Sequence, residues 1–228
     1  MADRPLAVVL ASGGLDSCVV AAMAARRFSL AMLHADYGQR TEARERAAFA
    51  ALADHFAAAE RLVVELPYWS RIGGSSLTDP RLPVPEDSPA PGQIPSTYVP
   101  FRNANLLAIA VAWGESLGAT AVFIGVHAAD NSYPDCRPEF IDAFNRLVAL
   151  GTRAGARLGV QAPLIGCTKA EIVRQGLALD APFALTWSCY QSQDLACGRC
   201  HSCRLRLQAF RAAGSPDPLP YARRADEQ

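Results

Sequence analysis

The residues with the clearest chemical potential in this chain of 228 residues form a short turn, Ser12-Gly13-Gly14-Leu15-Asp16-Ser17. The turn follows the apolar run 6–10 and precedes an alanine- and valine-rich segment, 17–27, that is predicted to be helical. Two glycines let successive backbone N–H groups point at one spot, and the helix behind adds unpaired N–H groups and its positive dipole end. The turn therefore predicts a pocket for phosphate or pyrophosphate. Asp16 fits such a pocket if its carboxylate holds Mg²⁺ that bridges the phosphates.

The same turn has an ordinary structural interpretation, which must be weighed against its resemblance to a known phosphate-binding loop. It matches neither GxxxxGK(S/T) nor GxGxxG, and Gly-Gly before Asp and Ser is also an ordinary connection between a strand and a helix. The complete SGGxDS pattern resembles the pyrophosphate (PP) loop of the N-type ATP pyrophosphatases, which split ATP between its α- and β-phosphates and adenylate a substrate. The resemblance implies that ATP binds at Ala11, Ser12, Gly13, Gly14, Leu15, Asp16 and Ser17.

Four cysteines with the spacing C-x7-C-x2-C-x2-C form a second group with clear chemistry; they are Cys189, Cys197, Cys200 and Cys203. Four thiolates at this spacing can close a tetrahedral Zn²⁺ site, and disulfides are not expected in a cytosolic chain. Because the protein would supply all four ligands, the zinc is predicted to be structural. His201 could replace one ligand, but four thiolates already fill the coordination shell. The alternative is a set of unrelated buried thiols, which is our interpretation of Cys18, Cys136 and Cys167.

Two basic residues are predicted at helix starts, where a cation opposes the helix dipole unless an anion faces it. Lys169 is the only lysine among the 22 basic residues, and it lies in the first turn of a predicted helix that Thr168 caps. Arg102 begins another predicted helix. An ATP phosphate would explain both, so Lys169, Arg102 and Asp16 are the predicted catalytic residues. The ordinary alternative for Arg102 is a solvated arginine beside a polar turn.

Composition narrows the classes of function. The chain is 50% hydrophobic and 19% charged, as expected for a soluble protein with a sizeable core. Its formal net charge is zero and its pI is near 6.9, so no global positive field favours a nucleic-acid partner. No apolar stretch has the length of a membrane span, and the first residues do not have the layout of a signal peptide. We therefore expect a cytoplasmic protein.

The elements that position these groups alternate between strands and helices. Strands are predicted over 6–10, 30–34, 62–66 and 121–125, and helices over 17–27, 40–59, 102–117 and 138–154. The alternation predicts an α/β fold, a parallel sheet with helices on both faces. Ligands of such sheets bind outside the carboxyl ends of the strands. The nucleoside of a bound nucleotide is accordingly predicted to meet the end of the second strand, at Asp36, Tyr37, Gly38 and Gln39.

Residues 67–100 are a long irregular stretch that holds eight of the 16 prolines, and they predict a lid or insertion. We call them the insertion. The predicted domains are an ATP-binding α/β domain over 1–160 and a C-terminal helical region over 161–228. The second region contains the zinc cysteines, a helix over 203–212 and, from Gly214, a loosely held tail.

Six motifs in chain order resemble one family closely. They are SGGLDS (12–17), DYGQR (36–40), YVPFRN (98–103), YPDCRPEF (133–140), TKAEI (168–172) and the cysteine cluster. Over about residues 6 to 210 they resemble the 7-cyano-7-deazaguanine (preQ0) synthases, the QueC family of the queuosine pathway. The resemblance implies an adenine nucleotide alpha hydrolase-like, Rossmann-like fold, and action on the small molecules 7-carboxy-7-deazaguanine, ammonia and ATP. It also implies Mg²⁺, a structural zinc and a homodimer, and it places the substrate at Arg102, Asn103, Tyr133, Asp135 and Arg137.

The chain departs from the family pattern at two places. Phe101 stands where the family usually has a small residue, and the loop 126–133 has His127 in place of Asn and one glycine fewer before Tyr133. Because this loop is predicted to shape the base pocket, the deazapurine that binds there stays open.

Three other functions also stay open. The first is another PP-loop ATPase, such as a tRNA thiolase or an amidotransferase-linked synthetase, although neutral charge and a closed cysteine cluster argue against a thiolase. The second is a related enzyme that modifies DNA or a protein. The third is a zinc-bearing module that binds nucleotide without catalysis, against which the intact loop and the single lysine argue.

Overall fold

The computed structural model of the protein describes residues 4–87, 90, 92–129 and 132–222. Among these residues five parallel strands form one sheet in the order β3-β2-β1-β4-β5. The strands are β1 (Leu6–Leu10), β2 (Ser29–Asp36), β3 (Glu60–Glu65), β4 (Ala121–Phe123) and β5 (Gly159–Gln161). The helices are α1 (Leu15–Ala25), α2 (Glu42–His55), α3 (Tyr68–Ile72), α4 (Arg102–Leu117), α5 (Pro138–Gly151), α6 (Lys169–Ala178) and α7 (His201–Ala212).

Helices cover both faces of the sheet, which confirms the predicted fold class. Along the central strand β1, Ala7 and Val9 belong to an apolar cluster with residues of α1, α6 and α7, whereas Val8 and Leu10 belong to a cluster with residues of α4 and α5. All four side chains are buried, as a parallel strand between two helical layers requires. The strand order reverses between β1 and β4, and a crevice at the carboxyl ends of these strands is the usual ligand site of such folds.

The bounds of the predicted strands and helices differ from the observed ones by up to four residues, and three differences have a clear physical reason. Strand β5 was not predicted because its three residues are too few to show a periodic pattern. Strand β2 continues past the predicted end at residue 34, because the polar residues His34 and Asp36 are buried as a pair. The insertion contains the short helix α3, which is held by the buried Trp69.

The C-terminal region packs into the same core as the first helix. Ile172, Val173, Phe183 and Phe210 lie in one apolar cluster with residues of α1 and β1. A Cβ at Gly176 would lie 2.2 Å from the Phe183 ring, so α6 approaches this ring as closely as a glycine allows. The division near residue 160 remains a prediction.

The prediction of a loose tail from Gly214 is wrong for the residues up to 222. Leu219 is only 1% exposed, and Asp217 forms a buried ion pair with Arg206. Ala196 also exchanges backbone hydrogen bonds with the tail, at Pro220 and Ala222. The prolines and polar residues of the tail predicted a segment exposed to solvent. The buried Leu219 and the Asp217 carboxylate instead fix this segment against the rest of the fold. In the described part of the chain no helix is long and apolar enough to cross a membrane.

Candidate active site

A cavity of about 710 Å³ lies at the carboxyl ends of β1, β2 and β4, within the size range of small-molecule sites. Residues of the insertion line part of it, among them Leu77 and Pro95. The cavity brings together most of the residues predicted to bind nucleotide or substrate: Ala11, Ser12, Gly14, Leu15, Asp16, Ser17, Tyr37, Gln39, Arg102, Asn103, Tyr133 and Lys169. Five others of this set do not line it: Gly13, Asp36, Gly38, Asp135 and Arg137.

The phosphate loop, residues 12–17, is held in its turn by internal hydrogen bonds. The Gly14 N–H donates to Ser12 Oγ at 3.2 Å, and Ser17 Oγ donates to the Gly14 carbonyl at 3.0 Å. Gly13 has a φ of +81°, and a Cβ there would lie 2.6 Å from the Glu45 carbonyl oxygen. Only glycine is therefore compatible with this position, both in backbone conformation and in space.

Asp16 and Lys169 meet at the mouth of the phosphate loop. Lys169 Nζ donates to both carboxylate oxygens of Asp16, at 2.7 and 2.6 Å, and His127 Nε2 lies 3.8 Å from Asp16 Oδ2. Lys169 is the first residue of α6, and Thr168 and Glu171 cap that helix with a reciprocal capping box, as predicted for Thr168. The pairing neutralises Asp16 and leaves Lys169 at the positive end of a helix, close to where a phosphate would lie. The Asp16 carboxylate suits Mg²⁺, which prefers oxygen ligands.

The end of β2 is fixed by its own side chains. Gln39 Oε1 accepts from the Tyr37 N–H at 2.8 Å, and Gln39 Nε2 donates to Glu45 Oε2 at 3.3 Å. Thr41 Oγ1 donates to the second oxygen of Glu45 at 2.6 Å, and burial raises the pKa of Glu45. Tyr37 and Gln39 therefore present fixed groups to the cavity.

Asp36 turns away from the cavity. Its carboxylate lies 3.1 Å from His34 Nε2 and 2.5 Å from an Arg46 guanidinium nitrogen. His34 Nδ1 donates to the Ala11 carbonyl at 3.0 Å, so Asp36 orients a histidine that fixes the start of the phosphate loop. This is a positioning contact instead of the nucleoside contact that the sequence suggested.

On the other side of the cavity, Arg102 and Asn103 begin helix α4. Arg102 Nη1 donates to the Tyr37 hydroxyl at 3.0 Å, and its guanidinium lies over the Tyr37 ring. The Asn103 N–H donates to Asp135 Oδ2 at 3.0 Å, and burial raises the pKa of Asp135. Asp135 Oδ1 is buried and has no hydrogen-bond partner among the described residues. The Tyr133 hydroxyl lies 2.7 Å from Thr97 Oγ1 and so joins this wall to the insertion.

Cys136 lines the cavity, but its environment disfavours a thiolate. Asn103 Nδ2 donates to its sulfur at 3.4 Å, and burial raises the pKa of Cys136 to about 12. The thiol is therefore protonated near neutral pH and lacks the activation that nucleophilic cysteines need. Phe101 adopts a φ of +56° and is 62% exposed beside Phe140. It does not line the cavity, so this departure from the family pattern lies outside the pocket wall.

The four predicted zinc ligands converge. The sulfur atoms of Cys189, Cys197, Cys200 and Cys203 lie within 4.8 Å of one another. Backbone N–H groups donate to two of the sulfurs, at 3.3 to 3.4 Å, which favours thiolates. Trp187 and Leu219 pack beside the cluster. Four convergent thiols with no further protein donor needed fit a closed structural Zn²⁺ site.

Several residues of the site were missed in the sequence. Glu45 lines the cavity although no motif marked it as a site residue. His127 also lines it, and the sequence marked this residue only as a departure from the family pattern in a loop predicted to shape the base pocket. The backbone N–H of Trp187 donates to the Gly13 carbonyl at 2.8 Å, and Arg206 lines the cavity although its side chain is almost fully buried. One signal for Arg206 was available: on a helix it shares a face with Cys203 and Phe210, and an arginine on a buried face requires partners.

Comparison with known proteins gives a consistent result. A family model described as "Queuosine biosynthesis protein QueC" matches residues 6–214. A protein of Koribacter versatilis named 7-cyano-7-deazaguanine synthase is 54% identical over 227 residues, 97% of this chain and 95% of that relative. A protein of the same name from Methanoculleus marisnigri is 51% identical over 219 residues, 95% of this chain and 99% of that relative. Among solved structures, NMN synthetase from Francisella tularensis has a TM-score of 0.49 and 15% identity, over 94% of this chain and 79% of that one.

Proposed function

This chain belongs to the QueC family of queuosine biosynthesis proteins, and on that premise we propose that it converts 7-carboxy-7-deazaguanine and ammonia into 7-cyano-7-deazaguanine at the expense of ATP. Relatives that bear the name of this activity match nearly the full chain. The observation that carries the proposal is the ion pair between Asp16, on the SGGLDS loop, and Lys169, at the start of α6. It lies where the strand order of the sheet reverses. A carboxylate and an ammonium group paired beside a phosphate loop suit a reaction that releases pyrophosphate.

The proposed reaction has two adenylations. A substrate carboxylate oxygen attacks the α-phosphorus of ATP, the bond to the β-phosphate oxygen breaks, and pyrophosphate leaves. Ammonia attacks the acyl carbon, loses a proton and displaces AMP, which gives an amide. The amide oxygen then attacks a second ATP in the same way, and loss of AMP and of the remaining nitrogen protons gives the nitrile. The enzyme has to orient these partners and stabilise charge on the phosphates and the leaving AMP.

The phosphate end of this reaction is assigned to the loop and to Lys169. Loop N–H groups and the Ser12 and Ser17 hydroxyls would receive the phosphates, and Lys169 would pass from Asp16 to the departing pyrophosphate. Asp16 would hold Mg²⁺, which when bound supplies positive charge to the phosphates. The four cysteines would hold a Zn²⁺ that takes no part in the chemistry, because they leave no coordination position open.

The substrate end is assigned to the opposite wall. Arg102 lines the cavity beside Tyr37, where its charge could face the substrate carboxylate or the α-phosphate that this carboxylate attacks. Asn103 and Tyr133 line the cavity, and Asp135 lies outside the lining and holds Asn103 through two hydrogen bonds. A contact between the Asp135 carboxylate and the N–H donors of a deazaguanine remains a prediction. Arg137 remains a prediction, since it lies outside the cavity wall.

We also propose that the protein works in the cytoplasm, as a homodimer, on small molecules without nucleic acid. Seven cysteines, none of them in a disulfide, support a reducing compartment. The resemblance to the family supports the dimer. The alternative that the same site adenylates a group on DNA or on a protein is favoured by one observation, the altered loop 126–133 at the base pocket.

Pyrophosphate exchange into ATP tests the proposal. We expect exchange only when 7-carboxy-7-deazaguanine is present, and mass spectrometry should find the nitrile once ammonia is added. Asp16→Asn should abolish the exchange and keep the melting temperature, because it removes the charge that would hold Mg²⁺. Exchange that needs DNA or a protein instead of the base would establish the alternative. Binding of ATP with no exchange under any of these conditions would refute catalysis of this kind.

A further inference from the structure

We propose that Arg206 is a positioning residue that holds the phosphate loop in its binding conformation, and that residues 217–221 are therefore needed for ATP binding. Arg206 acts through residues 183–188, which we call the support segment. The inference rests on the proposed function in one respect, that the anion bound by the loop is the phosphate chain of ATP.

Arg206 has no donor left for a ligand. Its guanidinium is 1% exposed and offers five N–H donors, the full set of an arginine side chain. Nε and Nη2 donate to the two oxygens of Asp217 at 2.8 and 3.0 Å, and Nη2 also donates to the Phe183 carbonyl at 3.2 Å. Nη1 donates to Thr186 Oγ1 at 2.7 Å and to Ser188 Oγ at 3.1 Å. All five donors are engaged, so Arg206 cannot bind a phosphate without breaking this network.

The two bonds of Nη1 lie on either side of Trp187, and Trp187 touches the phosphate loop. The backbone N–H of Trp187 donates to the Gly13 carbonyl at 2.8 Å. In a planar trans peptide the carbonyl of one residue and the N–H of the next point in opposite directions. Fixing the Gly13 carbonyl toward Trp187 therefore aims the Gly14 N–H at the other side, where Ser12 Oγ lies at the cavity. The orientation of a loop donor thus depends on the support segment.

Asp217 supplies the counter-charge from the tail. Besides Arg206, its oxygens accept from the Leu219 N–H at 3.0 Å and from the Tyr221 hydroxyl at 2.6 Å. A carboxylate has about four acceptor positions, and all are filled. A buried arginine without such a partner would be strongly destabilising, so the residues 217–221 complete the network that orients the loop.

Substitutions in this network separate positioning from general stability. Arg206→Lys keeps the charge that faces Asp217, but its three donors on one nitrogen cannot replace the five donors that join Asp217, Phe183, Thr186 and Ser188. Thr186→Val has nearly the same shape, leaves the ion pair intact and removes one of the two Nη1 contacts beside Trp187. Arg211→Lys, at an exposed position on the same helix, is the matched control.

Two measurements are made on each variant of the full-length, zinc-loaded protein. The first is equilibrium binding of α,β-methylene-ATP with Mg²⁺ by calorimetry, and the second is the KM for ATP and for the base in pyrophosphate release. We expect Arg206→Lys to weaken analogue binding and raise the KM for ATP about tenfold or more, and Thr186→Val about threefold to tenfold. The kcat and the KM for the base should change less than threefold, because the positioning acts on ATP binding. A loss of folded protein would instead lower the apparent kcat and leave both KM values unchanged.

Each outcome decides the matter. Normal analogue binding in both variants would overturn the inference, as would a wild-type protein that does not bind the analogue. If Arg206→Lys does not fold, Thr186→Val alone decides, and unchanged binding there overturns it. Weaker binding in the variants, while the wild type binds the analogue but releases no pyrophosphate with 7-carboxy-7-deazaguanine, would support the inference and refute the proposed function.

Discussion

Replacement of Lys169 tests whether this lysine serves the phosphates or only neutralises Asp16. Both oxygens of Asp16 lie within 2.7 Å of Lys169 Nζ. An arginine at this position would take the two oxygens in a planar fork and keep Asp16 neutralised. It would not release the carboxylate easily, nor place a compact charge on a departing pyrophosphate. Lys169→Arg therefore keeps Asp16 neutralised, whereas Lys169→Met does not. Both variants remove the compact positive charge from the phosphates.

The expected loss follows from one charged contact. A hydrogen bond to a charged group contributes about 1.5–3 kcal/mol. The two side chains are about one fifth exposed, so we take about 2–3 kcal/mol, which corresponds to about 30- to 150-fold in kcat/KM. We expect a loss of this size in both variants, measured as base-dependent pyrophosphate release, with little change in melting temperature for Lys169→Arg.

The control for this experiment is Arg174→Lys, because Arg174 is exposed on the same helix and its side chain donates to the Ala212 carbonyl, away from the cavity lining. It should keep wild-type kinetics. If Lys169→Arg retains activity within threefold of wild type while Lys169→Met loses it, the lysine only neutralises Asp16, and the role assigned to it at the phosphates is refuted.

Two further predictions concern cysteines. Cys200→Ser should release the zinc and cost about 3 kcal/mol or more of stability, a fall of about 6–12 °C in melting temperature, because thiolate–zinc bonds contribute folding free energy. Calorimetry with elemental analysis measures this against Cys167→Ser, a half-buried cysteine outside the cluster, and a metal-free protein of normal stability would contradict it. Cys136→Ser should keep activity within about threefold, because a pKa of about 12 leaves a thiolate fraction of only about 10⁻⁴ at pH 8. A loss above about 100-fold, together with a covalent Cys136 adduct in the mass spectrum of the wild type, would show that the thiol takes part.

The sequence was sufficient for the features that depend on neighbouring residues. The strand, the glycine turn and the following helix are contiguous, so the phosphate loop was predictable, and the spacing of the four cysteines predicted their convergence. The cap at Thr168 and the start of α4 at Arg102 were predictable for the same reason. In each case the physical cause, a backbone conformation or a local hydrogen bond, acts over a few residues.

The missed features depend on contacts between distant segments. Asp36 follows a strand, as a nucleoside-binding residue would, but its pairing with Arg46 and His34 turns it away from the cavity. The tail has the composition of a solvated segment, and only its contact with Arg206 shows otherwise. Such pairings depend on how helices and the sheet pack, which periodicity and composition do not specify.

The hydrogen bond between Trp187 and Gly13 has a consequence for the order of synthesis. A ribosome makes Gly13 long before Trp187 and Asp217, and at about 5–20 residues per second the roughly 200 residues between Gly13 and Asp217 take about 10–40 s. During that interval the glycine turn emerges without the contact that orients its carbonyl, and α1 lacks the residues of α6 and α7 that cover it. A nascent chain can therefore form β1, β2 and β3 early, whereas, on the inference that Arg206 and Trp187 position the phosphate loop, the loop is held for nucleotide only near the end of translation.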